Sequence, residues 1–190
     1  MTGSAYNVPT PLSIRQDGFP EIRMTAHYQT KPFGPFAPYY SWRVNIWNHE
    51  RTAAWEVQQV HHRLFLSNTT AEVQRFEIHY GYNFFLFGRA WASHGFVLHA
   101  SGGVIAPNPA SQIRGKSLNT SDPGALDVSY RVSGIGAALS ISRRAMLNKY
   151  LGVIADAGML GGRASTLVRD GHATVPTLGF HGHIGLAFGF

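Results

Sequence analysis

The sequence predicts an all-β fold, an eight-stranded antiparallel up-and-down transmembrane β-barrel. Three observations carry that prediction. The first is the closing segment. Successive side chains of a strand point to opposite faces. From Pro176 onward, Leu178, Phe180, Ile184, Leu186, Phe188 and Phe190 share one face, while Thr177, Gly179, His181, His183, Gly185, Ala187 and Gly189 share the other. A large apolar face backed by a small, polar one suits a strand with lipid outside and a packed interior behind it. The second is composition. Charged residues make up 14% of the 190 residues, against roughly 25% in soluble domains, while aromatics reach 13% and there are 21 glycines. The third is that seven further segments alternate, which gives the even strand count a closed antiparallel barrel needs.

In chain order, residues 1–20 contain Pro9, Pro11 and Pro20 and show no period. They read as an N-terminal periplasmic tail, leaving residues 21–190 as the barrel. The first strand is expected at 21–29, with Ile22, Met24, Ala26 and Tyr28 opposite Arg23, Thr25, His27 and Gln29. A loop rich in proline and aromatics ends it. The second, 39–47, alternates Tyr40, Trp42, Val44 and Ile46 with Ser41, Arg43, Asn45 and Trp47. In the third, 53–66, Trp55 and Val57 oppose Glu56 and Gln58. The apolar phase then moves to Val60, Leu64 and Leu66, which predicts a bulge at Gln58-Gln59.

The fourth strand sets Phe76, Ile78, Tyr80, Tyr82 and Phe84 against Arg75, Glu77, His79, Gly81 and Asn83. The barrel reading turns its aromatics to lipid. The remaining strands are expected at 95–106, 127–141, 150–160 and the closing segment. On this count the connections 30–38, 67–72, 107–126 and 161–175 are external, and the two longest loops fall among them. The connections 48–52, 88–94 and 142–149 are the periplasmic turns. Trp42, Trp47, Trp55 and Trp91 read as interfacial girdle residues.

Several classes are excluded or disfavoured. No run of about 18 apolar residues is present, so no transmembrane helix is expected. There is no cysteine, hence no disulfide or thiol chemistry. The net charge of +6 is scattered, with no basic run longer than Arg143-Arg144. Nucleic acid is therefore not an expected partner, and basic loops facing anionic lipopolysaccharide use the charge better. The opening residues Met1-Thr2-Gly3-Ser4-Ala5 lack the regions of an export signal. The expectation is a mature chain with an added Met.

The polar face supplies the candidate site. An eight-stranded barrel is filled by its own side chains, and buried charges must be paired. The expected lumen network is His27, Arg43, Glu56, Arg75, Glu77, His79, Arg131, Asp156, His181 and His183. No cofactor is expected. Histidines 27, 79, 99, 181 and 183 are the residue type that would ligate a metal, but no spacing among them is diagnostic, and no metal site is assigned. No catalytic site is assigned either. The residues that would carry one are His99 and Ser101, a base and a nucleophile on one face of one strand.

The chain resembles, in architecture, the small eight-stranded outer-membrane proteins of Gram-negative bacteria, the OmpA/OmpX type. Ile184, Leu186, Phe188 and Phe190 are similar to the C-terminal signature recognised by the outer-membrane assembly machinery. The resemblance implies a bacterial outer-membrane location, with membrane lipid, lipopolysaccharide and that machinery as partners. It also implies a structural or surface-interaction role through 107–126 and 161–175, toward a surface ligand or a larger membrane assembly. Two alternatives stay open. His99-Ala100-Ser101 is similar to the His-x-Ser element of outer-membrane lipid A deacylases, which would make the chain a lipid esterase. It departs from them in facing inward, in lying on strand five, and in having only Asp127, at a strand edge, as a nearby acid. The other alternative is a soluble lipocalin-like barrel, in which Phe76, Ile78, Tyr80, Tyr82 and Phe84 line a ligand cavity.

Overall fold

The computed structural model describes residues 1–31, 38–119 and 131–189, with backbone only at His79. Among these the chain is all-β, with antiparallel pairing and no helix. Thirteen strands follow one another: β1 (Thr2–Asn7), β2 (Thr10–Gln16), β3 (Ile22–Ala26), β4 (Tyr28–Gln29), β5 (Tyr40–Trp47), β6 (Ala53–Leu66), β7 (Val73–Ser93), β8 (Phe96–Pro107), β9 (Ala110–Ile113), β10 (Lys116–Leu118), β11 (Gly134–Met146), β12 (Leu151–Val168) and β13 (Gly171–Phe188).

The pairings run β5–β6–β7–β8–β11–β12–β13–β1, and β1 returns to β5 where Thr2 lies opposite Tyr40. Two backbone bonds between Met1 and Ser41 extend that last junction. The ladder therefore comes back to its starting strand. The short strands β2, β3, β9 and β10 lie beside the ends of β13 and β7.

Along this circuit the molecule has two zones of opposite polarity. In one, the outward side chains are large and apolar. They include Trp42, Val44 and Ile46 on β5, Trp55 and Val57 on β6, Phe85, Phe87 and Trp91 on β7, and Leu98 on β8. Leu139 and Ile141 on β11 and Ile184, Leu186 and Phe188 on β13 continue the set, and all are exposed. The inward neighbours on the same strands are polar or small: Glu56, Gln58, Ala90, His99, Ser140, Ser142, Asp156, His181 and His183 are buried. In the second zone the order is reversed. Leu12, Ile14, Leu64, Val73, Phe76, Ile78, Tyr82, Phe84, Ile105, Ile113 and Leu160 form a buried apolar core. Its outer surface carries the ion pairs Arg15–Glu21–Arg23, Arg75–Glu77, Arg114–Glu72 and Lys116–Asp170.

Beyond the register shift at Val73/Arg75, β7 runs from Phe76 through both zones without a change of parity. Its inward side changes from Phe76, Ile78, Tyr82 and Phe84 to Leu86, Gly88 and Ala90. Its outward side changes from Arg75 and Glu77 to Phe85, Phe87 and Trp91. The alternation expected for 75–84 is present, but its facing is inverted, because this half of the strand lies over the apolar core. Arg75 and Glu77 therefore pair with each other on the outer surface at 3.0 Å.

β6 has the bounds expected for 53–66, but the register is unbroken through Gln58-Gln59 and shifts only between His62 and Leu64. The even-numbered side chains stay inward throughout. What resembled a slip is the same inward face passing from Glu56 and Gln58 to Val60 and Leu64. Opposite the true shift, Gly81 adopts φ 109°, and a side chain there would meet the His61 ring and Asn83.

Other boundaries differ too. Residues 2–16, expected as a tail, form β1 and β2, which pair along β13. The expected loop 161–175 is the paired ends of β12 and β13 around a turn at Arg169-Asp170, and 88–93 belongs to β7. Small and polar residues concealed these strands, although Leu12, Ile14, Ala164, Val168, Ala173 and Val175 on them are buried in the apolar core. Part of the expected loop 107–126, with Asp127, lies outside the described residues, as does Phe190.

Candidate functional site

The buried polar cluster is assembled by register. On β8 and β11, His99 pairs with Ser140. On β11 and β12, Ser142 pairs with Asp156. On β12 and β13, Asp156 pairs with His183 and Gly158 with His181. On β5 and β6, Asn45 pairs with Glu56 and Arg43 with Gln58. Directly opposite side chains on one face are neighbours, and diagonal ones are within reach of long side chains. Gly158 makes room for this packing, since a Cβ there would collide with the Leu139 carbonyl and the Ser140 side chain.

Two arms meet at one arginine. Arg43, its side chain 5% exposed, donates from Nη1 to Asp156 Oδ2 at 3.0 Å and from Nη2 to Ser140 Oγ at 3.1 Å. Its Nε lies 3.4 Å from Glu56 Oε2. Ser140 Oγ also donates to Asp156 Oδ2 at 2.9 Å. The guanidinium thus links β5 to β6, β11 and β12. The first arm is a chain from Glu56 Oε2 to His99 Nδ1 at 2.5 Å and from His99 Nε2 to Ser142 Oγ at 2.8 Å. The second arm is Asp156 with His181 and His183. Asp156 Oδ1 lies 3.4 Å from His181 Nε2 and 3.7 Å from His183 Nδ1. The Tyr39 ring stacks on His183 with centroids 5.0 Å apart and planes 5° apart.

Of the expected lumen residues, Arg43, Glu56, Asp156, His181 and His183 come together here. The others do not. His27 and Arg131 are exposed, and Arg75 and Glu77 pair on the outer surface. These residues belong to the zone whose interior is apolar, so the polar side of their strands turns to water. The His79 side chain lies outside the described residues. His99 also departs from expectation. Its partners are Glu56 and Ser142, while among the described residues the Ser101 hydroxyl has no hydrogen-bond partner. Ser140 and Ser142 were missed. Their signal was the alternation of Ala138, Ser140 and Ser142 with Leu139 and Ile141.

The order carboxylate, imidazole, hydroxyl is that of an activated serine nucleophile. Here, however, Glu56, His99 and Ser142 are each no more than 3% exposed. The surface grooves described for the molecule lie elsewhere, one around Arg15, Arg23, Arg163 and His172 and one around Val104 and Ile135. Enclosed in this way, the first arm acts as a buried polar network that ties β6, β8 and β11. Breaking such a buried pair from one side costs about 3–5 kcal/mol. In the second arm two imidazoles converge on one carboxylate oxygen, Asp156 Oδ1. It is the arm whose residue types suit a metal ion.

No family model matches the chain, and the comparisons with curated proteins and with solved structures also returned no match.

Proposed function

We propose that the chain is a membrane-embedded eight-stranded β-barrel of a bacterial outer membrane. Its interior is filled by side chains, and its role is structural or surface-directed. One observation carries this reading: large apolar side chains are exposed on alternate residues of the circuit strands, while their inward neighbours are charged or polar and buried. A soluble protein rarely exposes apolar patches beyond a few hundred Å², and a polar interior behind an apolar exterior is the arrangement of an outer-membrane barrel. Closure of the ladder through β1 supports it, because open sheet edges are not tolerated in hydrocarbon.

The second zone then projects from the bilayer, with an apolar core and an ion-paired surface as water requires. Arg15, Arg23, Arg163 and His172 surround a groove on that surface, which suits contact with lipopolysaccharide phosphates. Ile184, Leu186 and Phe188 face outward, as a signature read by the assembly machinery must. The proposed contacts of this zone are a surface ligand or a larger membrane assembly.

The test is purification. The reading requires detergent for a monodisperse chain and a folded gel band that shifts on boiling. A monodisperse, folded chain in plain buffer refutes it.

A further inference from the structure

The second arm of the interior cluster holds donor atoms that only long contacts with one another partner. Among the described residues, the ring nitrogens of His181 and His183 meet no close hydrogen-bond partner, the nearest acceptor being Asp156 Oδ1 at 3.4 Å from His181 Nε2 and 3.7 Å from His183 Nδ1. All three side chains are at most 1% exposed. Buried polar atoms are almost always paired, and a group of exceptions at one point calls for a bound ion or water.

We infer that Asp156, His181 and His183 form a zinc-binding site. One ligand atom from each lies within 4.8 Å of the others. Zinc bonds of about 2.0–2.1 Å at tetrahedral angles place donors roughly 3.4 Å apart, whereas octahedral angles would place them at roughly 2.9 Å. The separations of 3.4 and 3.7 Å from Asp156 Oδ1 match the tetrahedral edge. Two imidazoles and one carboxylate also match zinc sites that keep a fourth position open. Calcium and magnesium prefer oxygen donors alone.

The surroundings orient these ligands. Arg43 and Ser140 hold Asp156 by Oδ2, leaving Oδ1 for the ion. Tyr39 fixes the plane of the His183 ring. Such outer partners set ligand geometry and affinity. Charge agrees as well, since two buried carboxylates, Glu56 and Asp156, face the one guanidinium of Arg43. The site is enclosed, so the ion enters as the strands close, and binding is coupled to folding.

The site lies within the strand circuit and does not depend on the membrane reading. If the chain folds without detergent, the same experiment is run in buffer. The full chain, without a histidine tag, is refolded from urea with EDTA, with Zn²⁺ or with Co²⁺. One zinc per chain is expected after gel filtration, with an intense tetrahedral Co²⁺ visible spectrum and a urea midpoint that rises with Zn²⁺. His181→Ala and His183→Ala each lose the cobalt spectrum, Ser140→Ala weakens binding about tenfold, and His27→Ala changes nothing. Less than about a tenth of an ion per unmodified chain, against the one metal that a set of three protein ligands holds, overturns the inference without reference to any variant. Equal binding by the double variant His181→Ala/His183→Ala overturns it too.

Discussion

Replacing Ile184 with arginine tests the membrane proposal at the middle of its apolar belt. On β13 the outward positions Phe180, Ile184, Leu186 and Phe188 are 51, 59, 59 and 64% exposed. From Phe180 to Phe188 the strand advances roughly 27 Å at about 3.4 Å per residue. At a barrel tilt of about 40° that is roughly 20 Å of height, close to the apolar band of about 25 Å that such proteins present to lipid. Ile184 is the midpoint. Its ladder partners are Ala155 and Thr2, neither able to neutralise a guanidinium. An arginine there costs about 2–4 kcal/mol at the bilayer midplane, falling to about 0–1 kcal/mol near the interface. Ile184→Arg should therefore cost several times more than Phe188→Arg. In water both positions are ordinary surface and should change stability by no more than about 0.5 kcal/mol. The assay is reversible urea unfolding in phosphatidylcholine vesicles, followed by tryptophan fluorescence. If Ile184→Arg loses less than about 0.5 kcal/mol, or no more than Phe188→Arg, the belt does not face lipid.

Phe76→Ala, in the buried core of the other zone, should lose about 3–5 kcal/mol in the same assay, whereas a side chain facing solvent or lipid would lose far less. Ser142→Ala leaves His99 Nε2 without its partner and should cost about 1–3 kcal/mol; unchanged unfolding would dissolve the first arm as a stabilising network. Gly158→Val drives a side chain into Leu139 and Ser140 and should cost about 1–3 kcal/mol by overpacking, read as a lowered urea midpoint. Acid should loosen the ion-paired surface first. The Glu21 carboxyl is held below its ordinary range by the hydrogen bond from Arg23, and that of Asp170 by the hydrogen bond from Lys116. Depressed carboxyls contribute stability above the ordinary carboxylate range and lose it as pH falls through their folded-state values. Amide exchange in the turns at 17–21 and 169–170 should rise with acid before exchange in β12 does. A simultaneous rise contradicts this.

The alternation of single strands was legible in the sequence. β5, β6 and β8 lie within a residue or so of their expected bounds, and the closing strand presents Phe180, Ile184, Leu186 and Phe188 outward as read. Strands built largely from small and polar residues were not legible. β1 is small or polar apart from Tyr6, and in β2 Pro11 precedes a short buried pair, Leu12 and Ile14. The far ends of β12 and β13 read as loop because glycine, arginine and threonine surround their core residues Ala164, Val168, Ala173 and Val175. Half of the expected lumen set was found because Arg43, Glu56, Asp156, His181 and His183 lie on strands whose other face is apolar in the same short window. His27, Arg75 and Arg131 were misplaced because their strands belong to the zone of reversed polarity.

That error has a single physical source, visible in β7. A period of two states which residues share a face, but not which face is buried. For 75–84 the two readings were aromatics to lipid or aromatics to core, and parity allowed both. The deciding information lay further along the same strand. Continuing the count past Phe84, the face of Phe76 and Tyr82 reaches Leu86, Gly88 and Ala90, while the face of Arg75 and Glu77 reaches Phe85, Phe87 and Trp91. On the proposed membrane reading, a charged row that becomes aromatic without a change of parity passes from water into lipid. A row of large apolar residues that shrinks to glycine and alanine must enter an interior occupied by other side chains. Here the occupants are Arg43 and the His99 network. The small residues of β7 and the buried charges of β5, β6 and β12 are therefore two parts of one packing solution, and the long strand is where they could have been read together.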